Sequence, residues 1–175
     1  MSEPVRAVAL VEGTSDVIAL EALARRWGRD LAAEGVALRA IGGAQAIARV
    51  LASVPAGTPV VGLCDENEEP IFRRAAERAP SLAFEFFVCR ADLEDELLRA
   101  LGVDAVEALL AEHGDLRSFR TFQRQPAWQG YPVPRQLRGF MHSADRRKLR
   151  YARIFVEALA DERVPEPLRG LLTRV

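Results

Sequence analysis

Glu12 follows directly on an apolar run and stands four residues before Asp16 in VALVEGTSD, where a strand pattern gives way to a helix pattern. Two carboxylates at that point admit two chemistries. The unpaired N–H groups and the dipole of a helix start favour negative charge, so capping alone accounts for one acid. A bound divalent cation would account for both. The chain offers more groups of the same type: CDENEE places Asp65, Glu66, Asn67, Glu68 and Glu69 after a third apolar run, and RADLEDE places Asp92 and Glu94 after a fourth. Carboxylates gathered at one edge repel one another unless cations neutralise them. Oxygen ligands without His or Cys suit magnesium, manganese or calcium.

Whether these acids meet depends on the elements that carry them. The runs VRAVALV, GVALRAI, PVVGLC and AFEFFVC alternate with helical stretches at 14–27, 44–53 and 68–79. Such alternation predicts an α/β fold, a parallel sheet covered by helices. Functional loops of these sheets lie at the carboxyl ends of the strands, where the winding reverses. A strand order of 2-1-3-4 would make the ends of the first and third neighbours and bring Glu12, Asp16 and Asp65 together. In the first helix Val17, Leu20, Leu23, Ala24 and Trp27 form an apolar stripe. Thr14 or Ser15 can cap it, with Gly13 easing the turn. Gly42-Gly43 reads as a tight strand-to-helix turn that leaves room at the site.

After residue 90 the strand signals stop. Helices are expected over 90–102, with Gly102 as the stop, over 103–113 and over 144–160, while QPAWQGYPVP, with three prolines and a glycine, reads as a loop. The division expected is an α/β domain over 1–102 and a basic helical extension over 103–175 packed on it.

At 175 residues, 49% of them hydrophobic and 28% charged, the chain is long enough to bury a real core. No apolar run approaches the roughly 20 residues that span a bilayer, and MSEPVRAV lacks a secretory pattern, so a cytoplasmic location without membrane contact is expected. Cys64 and Cys89 end apolar runs and are expected as buried, reduced thiols. The net charge of −1 hides an asymmetry: residues 1–114 hold 11 Lys+Arg against 19 Asp+Glu, and residues 115–175 hold 13 against 6. Within 117–153 ten cationic residues face one acid, Asp145, and Phe119, Phe122, Trp128, Tyr131, Phe140 and Tyr151 are interleaved with them. Arginine forks match phosphate oxygens and exposed aromatics can stack on bases, so Arg124, Arg146, Arg147 and Arg150 are candidates for nucleic-acid binding. The same aromatics could equally pack a small helical layer. His113 and His142 carry no motif.

VEG after the first strand, GG after the second and LCDENEE after the third resemble the TOPRIM domain. FFVCRADLEDELLRALG, RSFRTFQRQPAW and the basic RRKLRYAR together resemble the TOPRIM half of the OLD (overcoming lysogenization defect) family, over nearly the whole chain and in a form standing alone. The resemblance implies a Rossmann-like four-stranded parallel sheet with a C-terminal helical extension, and a nuclease using two Mg2+ or Mn2+ ions on DNA. Glu12 and Asp16 match the family's first acidic motif, Asp65 the second, Glu94 the acid after the fourth strand, and Lys148 the basic catalytic residue. Glu12, Asp65 and Lys148 are thereby the expected catalytic groups. Glu12 and Asp65 are expected on one ion and Asp16 and Glu94 on the other, with Asn67 in the second motif and Asp92 and Glu68 bridging or further out. Two departures stand out. The second motif reads Asp65-Glu66-Asn67 where Asp-x-Asp is usual, and nothing resembles the G-x-x-x-x-G-K-[ST] loop of an ATPase half, so no ATP site is expected in this chain. Partners consistent with the resemblance are DNA or RNA, a separate ATPase subunit and a second copy of the chain. A non-catalytic binding module and an RNA-processing or primase-type enzyme are the alternative functions.

Overall fold

The computed structural model describes residues 5–175. Four strands, β1 (Ala7–Val11), β2 (Val36–Ala40), β3 (Val60–Asp65) and β4 (Phe84–Cys89), form one sheet in the order β2-β1-β3-β4, and every pair is parallel. The winding therefore reverses between β1 and β3. Alternate residues of the strands serve two cores: Ala7, Ala9, Val11, Val61 and Leu63 point to one face, and Val8, Leu10, Val60 and Cys64 to the other. Cover on both faces is why β1 and β3 read as unbroken apolar runs.

The second face is closed by α2 (Ile47–Ala52) and α3 (Glu69–Arg78), with Phe72 of α3 packed among Phe84 and Phe86. The first face is closed by α1 (Thr14–Arg26), whose Leu20, Leu23 and Ala24 are buried as the stripe predicts, and by the whole C-terminal half. That half comprises α4 (Leu93–Leu101), α5 (Val103–Glu112), α6 (Leu116–Gln123), α7 (Val133–His142), α8 (Asp145–Ala158) and α9 (Glu166–Arg174). Buried residues of α4 to α9 and of α1, β1, β3 and β4 belong to one continuous core, so the sequence boundary at residue 102 is crossed by shared packing.

Three local expectations are corrected. The stretch 44–53 opens as a 3₁₀ turn, Ala44–Ala46, before α2 begins. The cap of α1 is neither Thr14 nor Ser15 but Gly13, whose N–H donates to the Asp16 carboxylate at 2.8 Å. The loop expected to run through residue 134 ends at Pro132, because Pro134 falls in the first turn of α7, where its missing N–H leaves no bond unmade. Both cysteines are free and buried. No helix of the described residues is long and apolar enough to cross a membrane.

Candidate metal centre

Each acidic side chain at the sheet edge is placed by the element before it. Glu12 leaves β1, and its Oε1 accepts the backbone N–H of Asp65, the last residue of β3, at 2.9 Å. Asp16 lies in the first turn of α1. Gly42 and Gly43, both at positive φ, fold back so that their N–H groups donate to the Glu12 carbonyl, and only glycine takes two such residues in succession at no steric cost. After β4 the chain turns through Ala91, at φ 60, into α4, which starts with Asp92 as its cap. Glu94 then points inward and is only 5% exposed. A cavity of about 200 Å³ results, lined by Glu12, Asp16, Asp65, Glu94, Lys148 and the small Gly13 and Gly43. Residues from five separate stretches of sequence meet there.

The electrostatics are lopsided. Glu12, Asp65 and Glu68 each bring a carboxylate oxygen within 4.8 Å of the others. Burial, reinforced by the Glu68 carboxyl beside it, raises Glu12 to about 7. Burial raises Asp16 to about 7 against the bond from Gly13, and burial with the neighbouring Glu12 and Asp92 charges raises Asp65 to about 8. Lys148 is the one cation lining this cavity among the described residues. Burial opposes its charge, but Glu94 and Asp16 outweigh burial and hold its ammonium above the usual lysine range. Its Nζ stands 3.5 Å from Glu94 Oε1, which has no hydrogen-bond partner; Glu68 Oε2 is unpartnered as well. Glu96, two residues after Glu94 and also buried, shows the contrast: its oxygens take the Arg90 N–H at 2.7 Å and Arg99 at 3.0 Å. A buried carboxylate oxygen without a donor carries a penalty that a hard cation removes. The residues present therefore fit a divalent ion, by donor set and by vacancy in their bonding.

The family model "Overcoming lysogenization defect protein-like, TOPRIM domain" matches residues 5–66, which span β1 to the end of β3. Over that stretch the chain is similar to a TOPRIM domain of the OLD type. The C-terminal region of the Burkholderia pseudomallei OLD protein is similar at a TM-score of 0.67 and 16% identity, over 97% of this chain and 96% of that one. The C-terminal region of the Xanthomonas campestris pv. campestris OLD protein is similar at TM-scores of 0.61 and 0.63 in two structures, phased with iodine and with platinum. Both are 20% identical and cover 97% of this chain and 93% or 91% of theirs. No curated protein matches the chain. At these identities the solved structures speak for the fold, and they extend the likeness of the TOPRIM domain through its C-terminal helices.

At this sheet edge one expected ligand lies outside the cavity and another is engaged by protein partners. Asn67 is exposed on the 3₁₀ turn Glu66–Glu68 and lines no part of the cavity; the turn aims Glu68 inward in its place. Asp92 is engaged by protein donors, with Oδ1 capping α4 by accepting the Asp95 N–H at 2.8 Å and Oδ2 accepting Arg138 Nε at 2.7 Å and meeting His142 Nε2 at 3.1 Å; with Glu94 and His142 it also offers ligand atoms within 4.8 Å of one another. Although burial opposes ionisation, these partners hold Asp92 well below the usual carboxylate range. His142 also stands 3.7 Å from Glu94, and neither it nor Arg138 carried any signal in the sequence.

The basic segment is similarly divided. Phe119, Phe122, Phe140 and Tyr151 are buried and pack the helical layer, leaving Tyr131 as the exposed aromatic of the set and Trp128 partly covered. Stacking on bases by the buried four is opposed by their burial, with Phe119 and Phe122 packed on Phe140 and Tyr151 on Phe155. Arg150 pairs with Asp115 at 3.0 Å. Arg124 and Arg146 are exposed, and Arg147 lies 3.7 Å over the Phe140 ring.

Proposed function

We propose that this TOPRIM domain is a metal-dependent nuclease that hydrolyses phosphodiester bonds of DNA, with two Mg2+ or Mn2+ ions. The observation that carries the reading is Glu94: a buried carboxylate whose Oε1 takes no hydrogen bond and has the Lys148 ammonium 3.5 Å away, in a cavity that also holds Glu12, Asp16 and Asp65. Glu12, Asp65 and Glu68 would hold one ion, and Asp16 and Glu94 the other. Bound there, the ions supply a water of lowered pKa as nucleophile and positive charge for the leaving oxygen.

The chain's own groups do the rest. Lys148, kept protonated by Glu94 and Asp16, meets the charge that develops on the phosphoryl oxygens. Glu12 stays oriented through the Asp65 N–H, and the Gly42-Gly43 turn holds the β1 end in place. Arg124, Arg146 and Arg147 attract the backbone without reading bases, because phosphate contacts carry no sequence information. The solved relatives are C-terminal regions of OLD proteins, so an ATPase partner belongs to the reading.

Single-turnover cleavage of plasmid and linear DNA, in magnesium and in manganese, tests it. Wild-type protein is expected to cut, and Asp16→Asn to lose at least tenfold of the rate at unchanged far-ultraviolet circular dichroism. Metal-independent or absent cleavage by the wild type, or equal rates for the two proteins, would overturn it.

A further inference from the structure

Away from the metal centre, α6 and the corner between α7 and α8 enclose a second cavity of about 490 Å³. Arg117, Ser118, Thr121, Gln125, Ser143 and Arg147 line it, and no acidic side chain does. Several arginines of this half have a carboxylate: Arg120 has Glu107, Arg138 has Asp92, Arg150 has Asp115 and Arg153 has Glu157. Arg117 and Arg147 form no ion pair among the described residues. Two guanidinium groups on one cavity wall, without a counter-charge, repel each other and favour an anion between them.

The wall is also shaped for oxygen. Arg147 donates to the Phe140 carbonyl at 2.8 Å and to Ser143 Oγ at 2.7 Å while its plane rests 3.7 Å over the Phe140 ring. Its fork is thus held in one orientation with other N–H donors free, which lowers the entropy lost on binding. The Ser118 hydroxyl and the Gln125 amide add donors, while the Thr121 and Ser143 hydroxyls donate to the Arg117 and Phe140 carbonyls; with the two guanidinium groups the remaining donors suit a tetrahedral oxyanion. Phe122 and Phe140 also line the cavity, but both are buried, and the Phe140 ring lies under the Arg147 guanidinium. On α8, Arg147 serves this cavity and the next residue, Lys148, serves the metal centre. One helix addresses both.

We infer that this cavity is a second phosphate-binding site, taking a backbone phosphodiester of the nucleic acid away from the bond that is cut. The inference rests on the nuclease reading for its ligand, and on Arg117, which that reading does not use, for its test.

The full-length protein is titrated with a fluorescein-labelled single-stranded oligonucleotide and with its duplex in calcium, by anisotropy over a range of salt. Arg117→Glu is compared with Arg49→Glu, the same charge change on α2, which covers the opposite face of the sheet. Arg117→Glu is expected to weaken binding at least tenfold and to flatten the log affinity against log salt slope by about 1, the loss of one phosphate contact, while Arg49→Glu leaves both in place. Arg117 is exposed on α6, so its replacement leaves the core intact. Equal effects of the two variants would overturn the site while leaving the nuclease reading standing. A wild type that binds neither nucleic acid would overturn both. Inorganic phosphate and pyrophosphate form a further arm: should either raise the melting temperature through Arg117 while the oligonucleotide fails to compete, the site holds a free anion and the backbone assignment falls.

Discussion

Glu12 Oε1 accepts the Asp65 backbone N–H at 2.9 Å, so the ends of β1 and β3 are joined through a side chain that also faces the metal cavity. One carboxylate fixes the edge geometry and supplies ligand charge, and the two roles can be separated. Glu12→Gln keeps an acceptor for Asp65 and removes the charge. Cleavage is expected to fall by about two orders of magnitude, the scale on which metal sites respond to disturbed ligation. In chelator near neutral pH the same variant is expected to melt about 2–4 °C higher, the shift made by about 1 kcal/mol in a chain of this size, since a costly charge is gone. Single-turnover rates and calorimetry check the pair of effects.

Glu68 and Asn67 are neighbours with opposite fates, and metal affinity should distinguish them. Glu68→Gln is expected to weaken manganese binding about tenfold, as loss of one charged oxygen ligand does. Asn67→Ala should leave it unchanged, since Asn67 stays outside the cavity. Isothermal titration with manganese measures both; a large loss in Asn67→Ala would return that residue to the ligand set.

Stability without metal should fall as pH rises. Glu12 and Asp16 are raised to about 7 and Asp65 to about 8, so the folded chain keeps protons that the unfolded chain releases near pH 4. Where the folded state binds more protons, unfolding free energy decreases with pH. The loss begins above about pH 4 and is complete once pH passes about 8. Asp92, shifted the opposite way, contributes stability that is lost only in stronger acid, outside this window. In chelator the melting temperature is therefore expected to be higher at about pH 5.5 than at about pH 8.5, and saturating magnesium should narrow the gap by binding the ionised cluster. A scanning-calorimetry series across pH, with and without magnesium, measures it.

Lys148 meets charge that exists mainly in the transition state. Lys148→Gln should cut single-turnover cleavage in manganese far more than it weakens DNA binding in calcium, because a group matched to developing charge contributes little to the ground state. Equal losses in the two assays would make Lys148 a phosphate anchor instead.

Gly170 tests whether the C-terminal helix is integral to the sheet. A Cβ there would collide with the Phe87 ring of β4, and ring and helix are both packed. Gly170→Ala is expected to cost about 1–3 kcal/mol through overpacking, seen as a lowered midpoint in urea with an unchanged slope. A second, separate transition for residues after 102 would show instead that the two halves fold independently.

While the order β2-β1-β3-β4 entered only as a condition, the sequence by itself determined the alternation of strands and helices and the acids at three strand ends. These are local signals: apolar runs mark strands covered on both faces, a helical stripe recurs within a few turns, and an acid placed directly after a strand must emerge at that strand's end. Glu12, Asp16, Asp65 and Glu94 were legible for that reason, and Lys148 through the family likeness of its helix. Tertiary structure alone decided what each acid does there. Asp92 was indistinguishable from Glu94 until Arg138 and His142, 46 and 50 residues away in the chain, took its carboxylate. Asn67 and Glu68 exchanged roles through the sense of one 3₁₀ turn. The aromatics of the basic segment went to the core, and Arg150 to Asp115, while Arg117 and Arg147 were left facing each other without an acid. Pairings between distant residues depend on how helices cross, and crossing is set by the packing of whole faces, which no short stretch of sequence contains.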